Sequence, residues 1–192
     1  MAKQKTPTLN FVTPLGVAVY PRLNKPDTKF DAEGVYKVNL RLDPTDEAVS
    51  KLLEKLTDFG KANNGIKNLP WVDEADDDGK PTGYILLKLK VKAFWPAKDG
   101  QPAQSRKPAI VDGGKNPITE TVGGGSVIRV SGEARPYEGF GGGVSLAPLA
   151  VQVKELVVYK RGVDDFDVID DAQQDAFDGS DEGAAGADEP EF

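Results

Sequence analysis

Residues 84–95 read YILLKLKVKAFW. Ile85, Leu87, Leu89, Val91 and Ala93 fall on one parity, and Lys88, Lys90, Lys92 and Phe94 on the other, with Tyr84 and Leu86 at the start. A repeat of two is the period of a strand, whose successive side chains point to opposite faces. One face of the segment is therefore apolar, and the other carries three cations and an aromatic ring. Residues 35–42, VYKVNLRL, repeat the design: Tyr36, Val38, Leu40 and Leu42 share one side, Lys37, Asn39 and Arg41 the other. Two half-buried strands with basic outer faces predict a β protein built round one core.

The flanking segments extend that prediction. Residues 9–20, LNFVTPLGVAVY, predict a strand bent or bulged near Pro14–Gly16, and the prolines and turn residues of 21–34 predict a loop. One helix is expected. Asp43 is its N-cap, Pro44 its first residue, and Asp46 and Glu47 lie in its first turn. Ala48, Val49, Leu52, Leu53, Leu56 and Phe59 form its apolar stripe, which runs to about Ala62 before the NNG at 63–65 ends it. Residues 71–83 read as an acidic turn. KPAIVD at 107–112 gives one short strand and residues 126–160 give two longer ones, with glycine-rich turns at 123–125 and 141–143. Five or more strands with a single helix argue against a parallel α/β sheet, which needs a helix between successive strands. A small barrel or sandwich remains.

Composition narrows the chemistry. The 192 residues suit one domain with appendages, and 39% hydrophobic with 29% charged residues describes a soluble globular chain. No apolar run approaches the roughly 18–20 residues that cross a bilayer, and no apolar segment follows the lysines of MAKQKTPTLN, so a cytoplasmic protein is expected. Cysteine and histidine are both absent. Disulfides, thiolate nucleophiles, nearly all zinc sites and the commonest general base go with them. The expectation is a protein that is no enzyme and uses no cofactor or metal.

Charge is segregated along the chain. Of 31 acidic residues twelve lie beyond residue 163, where no lysine or arginine occurs, so residues 1–163 hold 24 basic against 19 acidic residues, a net +5. The overall −7 conceals a cationic body with an anionic tail. Such asymmetry points to contact with a polyanion. Residues 164–192 have too little apolar surface to offset ordering entropy and are expected to be disordered.

Lysines at i, i+2 and i+4 of a strand lie about 6.6–6.8 Å apart, close to the phosphate spacing of an extended single strand. Phe94 continues the row and offers a ring for a base to stack on. Lys37, Asn39 and Arg41 repeat the arrangement, as do Arg129 and Arg135 on a third strand, and RPYEGFGGG at 135–143 adds Tyr137 and Phe140. For each strand alone, a solvated outer sheet face explains the lysines, and the loop aromatics equally suit a hairpin folded back on the core. Other motifs are weaker. DEADDDG at 73–79 opens like a calcium loop, but its twelfth position is Ile85 in place of glutamate. GGKN at 113–116 lacks the remainder of a phosphate loop, and GFGGGV at 139–144 lacks the final glycine of a dinucleotide fingerprint. Two competing classes follow: a magnesium-dependent nuclease with ligands among Asp73–Asp78, and a structural or chaperone-like β protein kept soluble by its tail.

The ordered set GVYKVNL at 34–40, the lysine strand ending KAFW, PAIVDGGKNPITETVGGGSVIRV at 108–130, RPYEGFGGGVSLAPLAVQVKELVVY at 135–159 and the acidic tail ending in Phe192 resembles the single-stranded-DNA-binding proteins of short-tailed (podoviral) bacteriophages. That resemblance covers most of residues 1–163. It implies an OB-fold, a partly open five-stranded barrel with one helix, over residues 1–163, and a disordered acidic tail over 164–192. By position it implies DNA contacts at Lys37, Arg41, Lys88, Lys90, Lys92, Arg106, Lys107, Tyr137 and Phe140, to which the strand faces read above add Phe94, Arg129 and Arg135. In the last loop the family shows a tyrosine and a tryptophan, where this chain has Tyr137 and Phe140 with extra glycine spacing. The resemblance further implies sequence-independent binding of single strands in phage replication, recombination and repair, in the cytoplasm of an infected bacterial host. The tail, through Asp188, Glu189, Glu191 and Phe192, would compete with DNA and recruit replication proteins such as a DNA polymerase or a helicase-primase. A homodimer is compatible with a tail that reaches its own cleft or a neighbour's.

Overall fold

The computed structural model describes residues 6–63, 67–95 and 102–158. Its strands are β1 (Leu9–Val12), β2 (Gly16–Asp27), β3 (Val35–Leu42), β4 (Trp71–Ala75), β5 (Pro81–Lys92), β6 (Phe94–Trp95), β7 (Gln104–Ser105), β8 (Ala109–Val111), β9 (Val127–Tyr137) and β10 (Gly143–Glu155). One helix, α1 (Glu47–Ala62), joins β3 to β5 by way of β4. The alternation read from the sequence holds on the two deciding strands: Tyr36, Val38, Leu40 and Leu42 of β3 and Ile85, Leu87, Leu89 and Val91 of β5 are all buried.

Five strands close into a ring. β2 pairs β3, β3 pairs β5 and β10 pairs β9 antiparallel; β5 and β10 run parallel; and β9 returns to β2. Numbered by chain order, the five run 1-2-3-5-4, a Greek-key barrel of the OB type. β1, β4 and β8 extend it as outriders on β9, β5 and β10. Two seams are short. β9 meets β2 at Gly16–Ile128 and Val17–Val127, continued by Ala18 bonding to Ser126 and Gly125, and β5 meets β10 at Leu89–Leu146. Gly16 is required there, because a Cβ would lie 2.7 Å from the Arg41 carbonyl oxygen and push β2 off β3.

Inside the ring Leu23, Val38, Leu40, Leu87, Leu89, Ile128, Val130 and Leu146 form one core, which Val49, Leu52 and Leu56 of α1 join. The helix begins three residues later than the sequence suggests. Asp43 is spent on a turn, accepting from the N–H and hydroxyl of Thr45. Asp46 is the cap instead, accepting from Ala48 N at 2.7 Å and Val49 N at 3.3 Å, a bond typically worth about 1 kcal/mol.

Three further segments depart from simple reading. The interruption expected near Pro14–Gly16 is present as a one-residue step: β1 and β2 run along β9 in succession, offset between Val12 and Gly16. Residues 21–27, expected as loop, continue β2 through Pro21 and Pro26. The prolines are tolerated because pairing with β3 is irregular there, with one extra residue between Val19 and Arg22 and three between Arg22 and Asp27. The acidic turn expected over 71–83 shrinks to Asp76–Lys80 between β4 and β5, closed by Asp76 accepting from Asp78 N and Lys80 N. No helix among the described residues is long and apolar enough to cross a membrane.

Candidate nucleic-acid interface

The outer faces of β2, β3 and β5 set cations side by side. Lys37 of β3 stands opposite Lys90 of β5 on one flank and opposite Arg22 of β2 on the other, while Lys88 faces Asn39. Like charges directly opposite across a ladder destabilise a sheet. Among the described residues Asp27 alone offsets this row, through an ion pair to Lys37. That lysine, followed by the backbone N–H of Lys29, holds the Asp27 carboxyl below its ordinary pKa. Lys88 and Lys90 have no carboxylate within salt-bridge distance among the described residues.

Beside this row lies an open hollow of about 460 Å³ lined by Lys88, Lys90, Tyr137, Phe140, Val144 and Ser145. The β9–β10 connection is built to hold its rings there. Asn68 donates through its side-chain amide to the carbonyls of Phe140, at 3.1 Å, and Gly142, at 2.8 Å, while its own carbonyl accepts from Val144 N. Phe140 is held in the left-handed region, at φ 56°, with its side chain fully exposed. A Cβ on Gly143 would collide with the Tyr137 hydroxyl, so the glycine makes the room in which that ring lies. Of the two outcomes left open by the sequence for these aromatics, Phe140 takes the exposed one.

Tyr137, Arg135 and Glu133 share the outer parity of β9, so this one face contributes to the first hollow and to a second of about 340 Å³. This one is lined by Trp95, Arg106, Lys107 and Arg135 together with Glu133 and Leu149. The Arg106 guanidinium sits 3.9 Å from the centre of the Trp95 ring and that of Arg135 at 5.4 Å. Burial, then the neighbouring Arg135, lowers the Arg106 pKa, and Glu133 opposes the shift. Glu133 accepts from Arg135 at 2.7 Å, and Arg135 Nε is buried with no hydrogen-bond partner among the described residues. Two guanidiniums crowded beside one ring suit an anionic oxygen.

Seven of the twelve expected residues therefore line two hollows, and Lys37 stands one strand away. The other four are placed elsewhere or are already engaged. Lys92 is held by Glu33 at 3.1 Å and Asp31 at 3.8 Å, which together raise its pKa. Arg41 donates to Glu74 at 2.8 Å and stacks on Tyr84. Arg129 donates to Gln152 and lines a separate hollow with Lys115 and Val12. Phe94 does not continue the lysine row. β5 ends at Lys92, Ala93 bonds to Gly34 and Arg106, and Phe94 restarts in the small β6–β7 ribbon opposite Ser105. Glu74 and Asp76, considered above as metal ligands, are taken up by Arg41, Thr82 and backbone amides, and no group of three ligands that would hold a metal ion lies among the described residues. The tail residues Asp188, Glu189, Glu191 and Phe192, and the domain limit at 163, lie outside the described residues.

Sequence reasoning missed two members of this surface. Trp95 closes the lysine strand in the sequence, yet only the structure shows Arg106 stacked on it. Phe30 sits on the β2–β3 connection, 87% exposed, with Lys29 Nζ 5.3 Å from its ring. OB barrels grip oligonucleotides on the face of their second and third strands and with the loops joining strands 1–2 and 4–5. Here those loops carry Phe30 and Phe140.

No protein-family model and no curated protein sequence matches the chain. Solved structures do share the fold. The single-stranded DNA binding protein gp2.5 encoded by bacteriophage T7 superposes with a TM-score of 0.66 at 21% identity, over 94% of this chain and 100% of that one. A C-terminal truncation of the single-stranded DNA-binding protein from bacteriophage Enc34 gives 0.57 at 16% identity, over 80% and 92%. The Enc34 protein in complex with single-stranded DNA gives 0.55 at 19% identity, over 76% and 86%. The likeness is one of architecture: an OB-type barrel with a single helix.

Proposed function

We propose that this protein binds single-stranded DNA without regard to sequence, as a phage protein serving replication, recombination and repair. The observation that carries the reading is the hollow in which Lys88 and Lys90 meet Tyr137 and the fully exposed Phe140. Cations spaced along a strand take the phosphates and the rings take bases, a combination tolerant of sequence because every base has a π face. Arg106, Lys107 and Arg135 continue the phosphate path into the second hollow. The solved structures that share the fold are named as single-stranded DNA-binding proteins, one of them with its DNA.

The tail completes the proposal. Its twelve acidic residues and no basic ones make a tethered polyanion that competes with DNA at high effective concentration. DNA displaces it, and the freed Asp188, Glu189, Glu191 and Phe192 then engage replication proteins. Titration of the full chain and of a chain lacking 164–192 with oligothymidylate at two salt concentrations tests both parts. Binding that weakens steeply with salt, and tightens on tail removal at low salt, is the expected result. Salt-insensitive binding, or none, overturns the reading.

A further inference from the structure

Three residues other than glycine adopt positive φ among the described residues: Tyr20 at 51°, Lys115 at 68° and Phe140 at 56°. The left-handed conformation costs a residue with a Cβ roughly 1–2 kcal/mol, and such strain concentrates at ligand clamps. Phe140 already belongs to the candidate interface; Tyr20 does not. It lies in the β2 bulge between Val19 and Arg22, a place glycine commonly takes, and its side chain is 80% exposed. Strict alternation from buried Gly16 and Ala18 would turn position 20 inward. The inserted residue breaks that parity, so Leu23 becomes the next buried side chain and Tyr20 faces solvent.

Neither strain nor exposure of a large ring helps the fold, and the bulge spends both at one position. What surrounds it is cationic. Arg22 follows two residues later and stands opposite Lys37, which stands opposite Lys90. Lys90 in turn lines the hollow that contains Phe140. The row crosses three adjacent strands, roughly 10 Å from β2 to β5.

We propose that Tyr20, with Arg22 beside it, is a second base-stacking station, so that a bound strand crosses the barrel from the Phe140 hollow over Lys90 and Lys37 to β2. This rests on the single-strand reading above and extends the occupied surface to a strand that reading leaves empty. A short oligonucleotide fills the Phe140 hollow alone; a longer one reaches Tyr20.

The test compares full-length wild type, Tyr20→Gly and Tyr20→Phe in melting temperature and in titrations with oligothymidylates of increasing length. Glycine suits φ 51° and removes the ring, so Tyr20→Gly should keep or raise the melting temperature. It should bind short oligomers as wild type does and longer ones about tenfold more weakly. Tyr20→Phe should bind like wild type. Equal binding by Tyr20→Gly and wild type at every length overturns this inference alone, as does a loss of affinity accompanied by a fall in melting temperature. A wild-type chain that binds no oligothymidylate overturns the single-strand reading and this inference together.

Discussion

Lys90 and Lys92 stand two residues apart on the same face of β5, in different surroundings. Lys92 is clasped by Glu33 and Asp31 from the β2–β3 connection. Lys90 faces another cation, Lys37, across the ladder. The same contrast recurs on β3, where Arg41 is engaged by Glu74 and Tyr84 while Lys37 shares a lone Asp27 with its cationic neighbours. Strand parity decides which way a charge points. Whether the charge is available to a ligand depends on acids brought in from other segments.

The contrast breaks most visibly if the unpaired lysines are removed. Lys88→Ala with Lys90→Ala should weaken oligothymidylate binding about a hundredfold at low salt. The slope of log affinity against log salt should fall by about 1.4, two phosphate contacts at ~0.7 each on a single strand. Melting temperature should hold or rise, since Lys90 no longer opposes Lys37. Phe140→Ala should cost about tenfold in affinity and leave the salt slope unchanged, because stacking releases no counterions. Arg41→Ala inverts the pattern: binding should stay within about twofold, while the loss of a half-exposed ion pair and a cation–π contact removes about 1 kcal/mol from denaturant-measured stability. Asp27→Asn should tighten binding a few-fold by releasing Lys37. The smallest effect is on pH. Asp27, Asp43 and Asp112 all have pKa values below the ordinary aspartate value, held by Lys37, Thr45 and Asn116 respectively. Their contribution to stability is present above the unfolded-state pKa and is lost as pH falls through the depressed folded values. On the acid side, melting temperature should therefore decline below the usual carboxylate range.

Much of the barrel is legible in the sequence where strands are regular. On β3 and on β5 from Ile85 onward every second residue is apolar, and those residues are the buried ones, because period-two patterning and burial on one face are the same fact. Legibility fails where geometry is irregular or remote. β2 runs through two prolines because bulges excuse their missing N–H groups, and a bulge also turns Tyr20 outward against its parity. Ala93 ends β5 by bonding to Gly34 and Arg106, so Phe94 leaves the lysine row for a reason that lies in two other segments. The pairing of Trp95 with Arg106, and of Lys92 with Glu33, likewise joins residues with no shared local pattern. Tyr137 and Phe140 are readable as candidates, but the anchor that poses Phe140 is Asn68, seventy-two positions upstream.

The barrel is latched rather than welded. Two short seams complete the hoop, and each fastens segments far apart in sequence: Gly16, Val17 and Ala18 with residues 125–128, and Leu89 with Leu146. Closing such distant ends is slow, so the hoop should be completed late in folding, after the β2–β3–β5 and β9–β10 sheets have formed. Opening should begin at the same latches, and amide hydrogen exchange should report it first there. The β5–β10 latch borders the hollow of Lys88, Lys90 and Tyr137, whose lining comes from both strands, so a ligand lying in it would span the two edges that the latch joins.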